Sequence, residues 1–195
     1  MGQKTSKLNK EDLTKLRAET GFTTRELQQW YKGFRRDVPT GQLTKEDFLK
    51  IHKQFYPFGD PTDFSNLTFH AFDVNDVGYI DFKSFILSLN TASHGTTEQK
   101  LRWSFKVYDR DGDGQVSYAD LLKVIKSIYK MIGFSTAKFD EDEITPEMRA
   151  DKVWLALGKD LTRKESDLIT LTEFTNVKNL DKETLDAMNV YNDLI

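Results

Sequence analysis

The chain has 195 residues, and 38% of them are hydrophobic, including 14 phenylalanines, which is enough apolar surface for one domain or two small ones. The net charge of −3 lacks the strong basic excess that is typical of nucleic-acid binding, so we expect no nucleic-acid partner. The absence of cysteine excludes a disulfide, a thiolate metal site and a cysteine nucleophile.

The first residues have the pattern of an acylated arm. Residues 1–6, Met-Gly-Gln-Lys-Thr-Ser, fit the N-myristoylation pattern, with Gly2 as the acceptor after removal of the methionine. Three lysines precede the first acid and would face an anionic membrane surface: Lys4, Lys7 and Lys10. One acyl chain binds a bilayer only marginally, and each lysine near the surface adds about 1 kcal/mol. The alternative is an ordinary lysine-rich tail.

A repeat of about 36 residues organises the chain. In three copies a glycine is followed two residues later by a β-prone apolar residue: Gly41 and Leu43, Gly78 and Ile80, and Gly114 and Val116. A fourth copy, centred on Ile169, lacks the glycine. With the apolar residue at position 8, the repeat defines four twelve-residue loops, which we number one to four: 36–47, 73–84, 109–120 and 162–173.

The repeat predicts an all-α fold of four helix-loop-helix units in two paired lobes, because the position-8 residue of one loop pairs with that of its neighbour. Capping patterns predict helix starts at four places: Thr23 with Glu26, Asp60-Pro61, Thr96 with Gln99, and Thr145-Pro146. We divide the chain into five parts: an N-terminal arm and first helix at 1–22, an N-lobe at 23–90, a linker at 91–96, a C-lobe at 97–179 and a C-terminal helix or tail at 180–195.

The two N-lobe loops are poor metal sites. In loop one, Arg36 at position 1 and Val38 at position 3 would present a positive charge and an apolar side chain to a cation. Loop two keeps three good ligands: Asp73, Asn75 and Asp81. However, Val77 at position 5 offers no oxygen, and Ser84 at position 12 cannot supply a bidentate carboxylate. We expect neither loop to bind Ca²⁺ under physiological conditions.

Loop three has the complete pattern of an EF-hand calcium loop. Oxygen ligands stand at positions 1, 3, 5, 7, 9 and 12: Asp109, Asp111, Asp113, the backbone carbonyl of Gln115, Ser117 and Asp120. Gly114 at position 6 permits the sharp turn, since it has no Cβ. Ca²⁺ takes oxygen ligands only, so this pattern predicts a divalent metal site, and the four repeated units are predicted to be EF-hands. The alternative is an acidic surface turn.

Two features limit this metal chemistry. Asp120 stands where glutamate is usual, and its shorter side chain is a weaker bidentate ligand, which favours the six-oxygen shell of Mg²⁺ over the larger shell of Ca²⁺. Loop four places Thr162, Lys164 and Ser166 in the first three ligand positions. We therefore expect one site, for Ca²⁺ or Mg²⁺, in loop three, with loop four as its structural partner.

Stretches throughout the chain resemble the neuronal calcium sensor family. They are Met1 to Leu8, Leu27 to Phe34, Pro39 to Leu43, Phe55 to Pro61, Lys100 to Phe105, Ile128 to Met131, Thr145 to Arg149 and Val190 to Leu194. The similarity is to frequenin-like members, whereas Ala150 to Lys159 is closer to recoverin. The resemblance implies four EF-hands in two lobes, an inactive first loop, a myristoylated N-terminus and Ca²⁺-dependent target binding. Frequenin-like members bind Ca²⁺ in loops two to four, so the altered loops two and four depart from that pattern.

The resemblance also implies that the amphipathic helix of an effector docks in an N-lobe groove. The candidate wall residues are large and apolar: Trp30, Phe34, Phe48, Ile51, Phe55, Phe85, Leu89 and Trp103. The alternative is that these side chains belong to the core. Two places are open for the C-terminal segment 180–195, which could lie in the groove as an internal ligand or cap the C-lobe.

We interpret the sequence as a myristoylated Ca²⁺ or Mg²⁺ sensor, cytoplasmic and peripheral to the inner leaflet or the Golgi. No apolar run approaches the ~20 residues of a membrane-spanning helix. By resemblance, the effector is a phosphatidylinositol 4-kinase, a receptor kinase or a guanylyl cyclase. The alternative is a constitutive adaptor or scaffold whose Mg²⁺ or Ca²⁺ is structural. We do not expect an enzyme, since the three histidines are scattered and no nucleophile–base pair is readable.

Overall fold

The computed structural model describes residues 8–133 and 145–176, together with Leu185 and Met188. Helices occur there in this order: α1 (Lys10–Thr20), α2 (Thr24–Asp37), α3 (Lys45–Phe55), α4 (Thr62–Phe72), α5 (Phe82–His94), α6 (Thr97–Tyr108), α7 (Tyr118–Ile132), α8 (Pro146–Ala156) and α9 (Leu171–Thr175). Strand β1 (Gln115–Ser117) precedes α7, and strand β2 (Leu168–Thr170) precedes α9. Each of the four loops therefore connects two helices: α2 and α3, α4 and α5, α6 and α7, and α8 and α9.

Most of the predicted helix starts are found. Thr23 and Thr96 each form a capping box with the residue three positions later. Pro146 is the first residue of α8, and the Thr145 side chain caps that helix. The exception is α4, which begins one residue later than predicted: Pro61 is its N-cap, and the Asp60 carboxylate accepts from the Thr62 amide at 3.0 Å.

The loops pair as their position-8 residues predict. Leu43 and Ile80 exchange two backbone hydrogen bonds of 2.9 Å across loops one and two. Val116 and Ile169 are opposite each other where β1 pairs antiparallel with β2. All four side chains are fully buried, so each pair ties two loops to one apolar core. The predicted all-α fold of four helix-loop-helix units in two paired lobes is confirmed.

The two lobes are in direct contact. The imidazole of His70 on α4 forms a hydrogen bond with the Lys106 carbonyl on α6, and the Asp60 amide donates to the Lys130 carbonyl on α7 at 2.9 Å. Gly59 lies so close to the end of α7 that an added Cβ would overlap the carbonyl oxygen of Met131. The contact therefore requires glycine at this position, and it fixes α4 against α6 and α7.

The connection between α5 and α6 is shorter than the predicted 91–96 linker. Helix α5 continues through His94, so only Gly95 and Thr96 separate it from α6. The polar side chains of this last turn return their hydroxyl groups to the helix, since Thr91 donates to the Leu87 carbonyl and Ser93 to the Leu89 carbonyl. These bonds, together with the burial of Ala92, allow a polar stretch to remain helical.

The two described residues of the C-terminal segment lie against the C-lobe. Met188 is fully buried, and its backbone carbonyl accepts a hydrogen bond from the Tyr108 hydroxyl at 3.5 Å. Burial also raises the pKa of the Tyr108 hydroxyl, so Tyr108 remains a donor at neutral pH. Two placements were considered for this segment, and the burial of Met188 against Tyr108 agrees with the one in which the segment caps the C-lobe. The remainder of 180–195 lies outside the described residues, apart from Leu185.

Candidate metal centre and apolar pocket

Loop three gathers three carboxylates. Oxygens of Asp109, Asp111 and Asp113 lie within 4.8 Å of one another, and among the described residues no other three histidines or acids form such a group. They come together because they occupy alternating positions of a tight loop. The loop turns at Gly114, whose φ of 83° would strain a residue with a side chain. Three carboxylates at this separation repel one another unless a cation lies between them.

The hydrogen bonds of Asp109 test whether a cation fits. Its Oδ2 atom accepts from the Gly114 amide at 3.0 Å, whereas its Oδ1 atom is buried and has no hydrogen-bond partner. A buried carboxylate oxygen without a partner is costly, and coordination to a cation would remove that cost. The donor set consists only of oxygen atoms, as Ca²⁺ and Mg²⁺ require. The residues present therefore fit a hard divalent cation.

The other predicted ligands are arranged differently. Asp120 forms the capping box of α7, and its Oδ2 atom accepts from the Ser117 amide at 3.2 Å and from the Ser117 hydroxyl. Asp120 is thus not part of the carboxylate group, although it stands at the edge of the loop. Gln115 is exposed, and its backbone N–H donates to the Asp113 carboxylate at 2.8 Å, which holds that carboxylate in the turn.

In loops one and two, the charged residues at position 1 have partners within the loop. Arg36 pairs with its neighbour Asp37, with 2.7 Å between Nε and Oδ1, and Val38 is buried in the core. In loop two, both oxygens of Asp73 accept backbone amides, from Val77 at 3.1 Å and Gly78 at 2.7 Å. The loop's own N–H groups therefore satisfy the carboxylate at position 1 of loop two.

Two lysines form ion pairs at loop four: Lys159, just before the loop, and Lys164, at one of its ligand positions. Lys159 pairs with the terminal acid Glu173 at 2.7 Å, and Lys164 pairs with Asp151 of α8 while lying 4.3 Å from the centre of the Tyr118 ring. Partial burial raises the pKa of Glu173, but hydrogen bonds from Lys159 and Thr170 outweigh it, so the pKa lies below its usual value. Glu173 is therefore an anion that is already neutralised by a side chain.

An apolar pocket of about 530 Å³ opens on the N-lobe between α2, α3 and α5. Five of the predicted wall residues line it: Trp30, Phe34, Ile51, Phe55 and Phe85. Trp30 exposes 42% of its surface and Phe55 exposes 72%, although both are large and apolar. Such side chains are normally buried, and here they cluster around an open pocket.

Three predicted wall residues lie elsewhere. Phe48 and Trp103 are buried, and each packs against Phe72 at ring-centroid distances of 5.2 and 5.3 Å. Leu89 is partly buried against the same core, one turn beyond Phe85 on α5. None of these three side chains lines the pocket in this structure, and their place in a groove that binds a target stays a prediction.

The pocket also has polar lining residues that were not predicted. Glu26, Arg36 and Asp37 lie at its rim, with Gln29 and Gln54. On α2 the lining residues 26, 29, 30, 33, 34 and 37 share one face at helical spacing, so the pattern around Trp30 and Phe34 could have identified Glu26 and Asp37. The rim therefore carries both signs of charge, and Arg36 and Asp37 on it pair with each other.

Comparison with known proteins agrees with this geometry. A family model described as an EF-hand domain pair matches residues 98–177. Neuronal calcium sensor 1 of Lymnaea stagnalis is 41% identical over 190 residues, which cover 97% of each chain. Recoverin of Homo sapiens is 38% identical over 183 residues, covering 93% of this chain and 90% of recoverin. Visinin of Gallus gallus is 38% identical over 172 residues, or 88% of each chain.

Paired helix-loop-helix units and an acidic twelve-residue loop define an EF-hand calcium sensor. The extent of the similarity makes the assignment more specific: the chain belongs to the neuronal calcium sensor family. None of the helices in the described ranges is long and apolar enough to cross a bilayer. Gly2, Lys4 and Lys7, which carry the acylation prediction, lie outside those ranges, whereas Lys10 is the first residue of α1.

Proposed function

We propose that this calcium sensor binds one divalent cation, in loop three, and docks an amphipathic helix of an effector in the N-lobe pocket. Asp109, Asp111 and Asp113 would hold the cation, joined by Ser117, Asp120 and the Gln115 carbonyl. A bound Ca²⁺ or Mg²⁺ would supply the positive charge that three neighbouring carboxylates lack. The unpartnered Oδ1 atom of Asp109 supports this assignment.

The exposed apolar pocket carries the proposal of helix docking. An amphipathic helix presents anchors at i, i+3, i+4 and i+7, and these suit a pocket walled by Trp30 and Phe55. We propose effectors of the classes that the family resemblance implies: a phosphatidylinositol 4-kinase, a receptor kinase or a guanylyl cyclase. Attachment to the inner leaflet or the Golgi would come from a myristoyl group on Gly2, assisted by Lys4, Lys7 and Lys10.

Coupling between the metal and the pocket is expected to be modest. The proposed metal site lies in the C-lobe, and the pocket lies in the N-lobe, so any signal must cross the α5–α6 connection or the contacts of α4 with α6 and α7. Coupling free energies between two sites are typically about 1–3 kcal/mol, or about 5- to 150-fold in affinity. We therefore propose that target binding weakens without Ca²⁺ but persists.

Intrinsic fluorescence provides a direct test. Trp103 and Trp154 are buried, whereas Trp30 is 42% exposed, so a blue shift on adding an amphipathic model peptide would report the covering of Trp30. Phe55→Ala should weaken peptide binding about tenfold or more, because it removes a wall of the pocket. The matched control is Phe58→Ala, since Phe58 is 90% exposed but lies outside the pocket lining. Equal effects of the two substitutions would contradict helix docking at this pocket.

A constitutive adaptor is the second candidate. The specific observation in its favour is that loops two and four are closed by internal partners, Asp73 by backbone amides and Glu173 by Lys159. An adaptor would bind its target equally in Ca²⁺ and in chelator. Calorimetric titration of Ca²⁺ at fixed Mg²⁺, followed by the peptide titration in both states, separates the two candidates.

A further inference from the structure

A second cleft, of about 600 Å³, lies between the lobes and is lined by residues of α4 and α7. Leu67 and Leu122 provide apolar surface, and one end is bordered by Arg110 of loop three. Its volume falls within the range of small-molecule sites, about 300–1,000 Å³. It shares no lining residue with the N-lobe pocket, so the two sites can be tested separately.

Four cations line this cleft: Arg110, Lys123, Lys126 and Lys130. The three lysines stand at i, i+3 and i+7 on α7, so they share one face of the helix and span about 10 Å along its axis. Arg110 extends this row from the loop that precedes α7. Asp63 on the facing helix α4 is the one acid in the lining.

The cations differ in how well they are neutralised. Lys130 lies 3.1 Å from Asp60 and 2.8 Å from Asp63, and Lys126 lies 2.8 Å from Glu147. All of these side chains are about half exposed, and such pairs contribute only about 0–1 kcal/mol, so another anion can replace them.

The other two cations, unlike Lys126 and Lys130, are in no ion pair with a described residue. Arg110 and Lys123 form no ion pair within the part of the chain that the structure describes, and both are exposed. One side of the cleft therefore presents two cations that are uncompensated by any ion pair with a described residue, close to the apolar surface of Leu122.

We propose that this cleft binds a small organic anion that carries two or more phosphate groups. A phosphate group has a charge of about −1.5 to −2 and three acceptor oxygens, so it can engage two neighbouring cations, and arginine binds it bidentately. A row of cations about 10 Å long needs more than one such group. The apolar surface of Leu67 and Leu122 suits the carbon frame between the phosphates. Soluble inositol phosphates and phosphorylated lipid headgroups share this chemistry.

Calorimetry on the full-length, unacylated protein in metal-free buffer tests the proposal, with inositol 1,4,5-trisphosphate as the probe. We expect saturable binding at one site. The double variant Arg110→Gln/Lys123→Gln should weaken binding about tenfold or more, because it removes the charge-assisted contacts of the uncompensated cations. The control Lys32→Gln/Lys53→Gln removes the same charge from exposed positions of α2 and α3, outside the cleft, and should leave the affinity unchanged.

A second arm identifies the source of the ligand. Vesicles of phosphatidylcholine with phosphatidylinositol 4,5-bisphosphate are compared with phosphatidylcholine vesicles, using the same unacylated variants. Cleft-dependent binding of the trisphosphate alone supports a soluble ligand, and cleft-dependent binding of the vesicles supports a lipid headgroup. Failure of both probes to bind, an equal loss in both double variants, or equally tight binding of a hexaglutamate peptide would overturn the proposal. None of these outcomes depends on helix binding at the N-lobe pocket.

Discussion

Exchange of Asp109 for asparagine should separate metal binding from folding. In the wild type, the Asp109 carboxylate lies within 4.8 Å of those of Asp111 and Asp113. Two unit charges at that separation repel by about 1 kcal/mol in water, and the substitution removes two such pairs. The amide oxygen of the new side chain can still accept from Gly114. We therefore expect Asp109→Asn to be at least as stable as the wild type in the absence of metal.

The same substitution should abolish stabilisation by Ca²⁺. A ligand that binds only the folded state at about 100 times its Kd adds about 2.7 kcal/mol to the free energy of unfolding. For a chain of this size, that raises the Tm by about 5–10 °C. Differential scanning calorimetry in chelator and in saturating Ca²⁺ measures this increase, which should be present in the wild type and lost in Asp109→Asn.

Asp73→Asn in loop two is the matched control. Asp73 is buried and accepts two backbone amides, and hydrogen bonds to charged groups contribute about 1.5–3 kcal/mol each. The substitution weakens these bonds, so the Tm in chelator should fall while the Ca²⁺-dependent increase remains. If Asp73→Asn lowers the number of Ca²⁺ sites in calorimetric titration, or if Asp109→Asn keeps the Ca²⁺-dependent increase, the assignment of a single site to loop three is wrong.

Three further predictions concern other parts of the molecule. Asp120→Glu should raise both Ca²⁺ affinity and the preference for Ca²⁺ over Mg²⁺, because the longer side chain adds a bidentate contact; an unchanged ratio in calorimetric titration would contradict this. Co-expression with an N-myristoyltransferase should add an acyl group that is visible by intact mass, and Gly2→Ala should remove both the group and most vesicle binding; an unmodified wild type would refute acylation. Hydrogen bonds from the Thr62 side chain and amide, and then from Lys130, lower the pKa of Asp60 from 3.8 to about 2. A carboxyl group whose pKa is lower in the folded state stabilises the fold at pH values above its unfolded pKa, and this stabilisation is lost as the pH falls through the folded pKa of about 2. The stability difference between wild type and Asp60→Asn in urea unfolding should therefore shrink between about pH 4 and pH 2. A constant difference would exclude this role.

The sequence by itself determined the loops and their pairing. The ligands of an EF-hand loop lie within twelve residues, so Asp109, Asp111 and Asp113 come together through local turns that the glycines permit. Each position-8 residue is identified by the pattern of its own loop, and the repeat of these loops predicted the long-range pairs that join Leu43 to Ile80 and Val116 to Ile169. Capping boxes are also short-range patterns, which explains why most helix starts could be predicted within a residue.

Only the tertiary structure decided which apolar side chains line the N-lobe pocket. Phe48 and Phe55 lie on the same helix and are chemically identical, yet one is buried against Phe72 and the other exposes 72% of its surface. Helical periodicity shows which residues share a face, but whether another element covers that face depends on the packing of distant helices. The lysine pairs of loop four likewise depend on packing within the C-lobe, and the cleft beside α7 gains Asp63 and Leu67 only when α4 packs against α7.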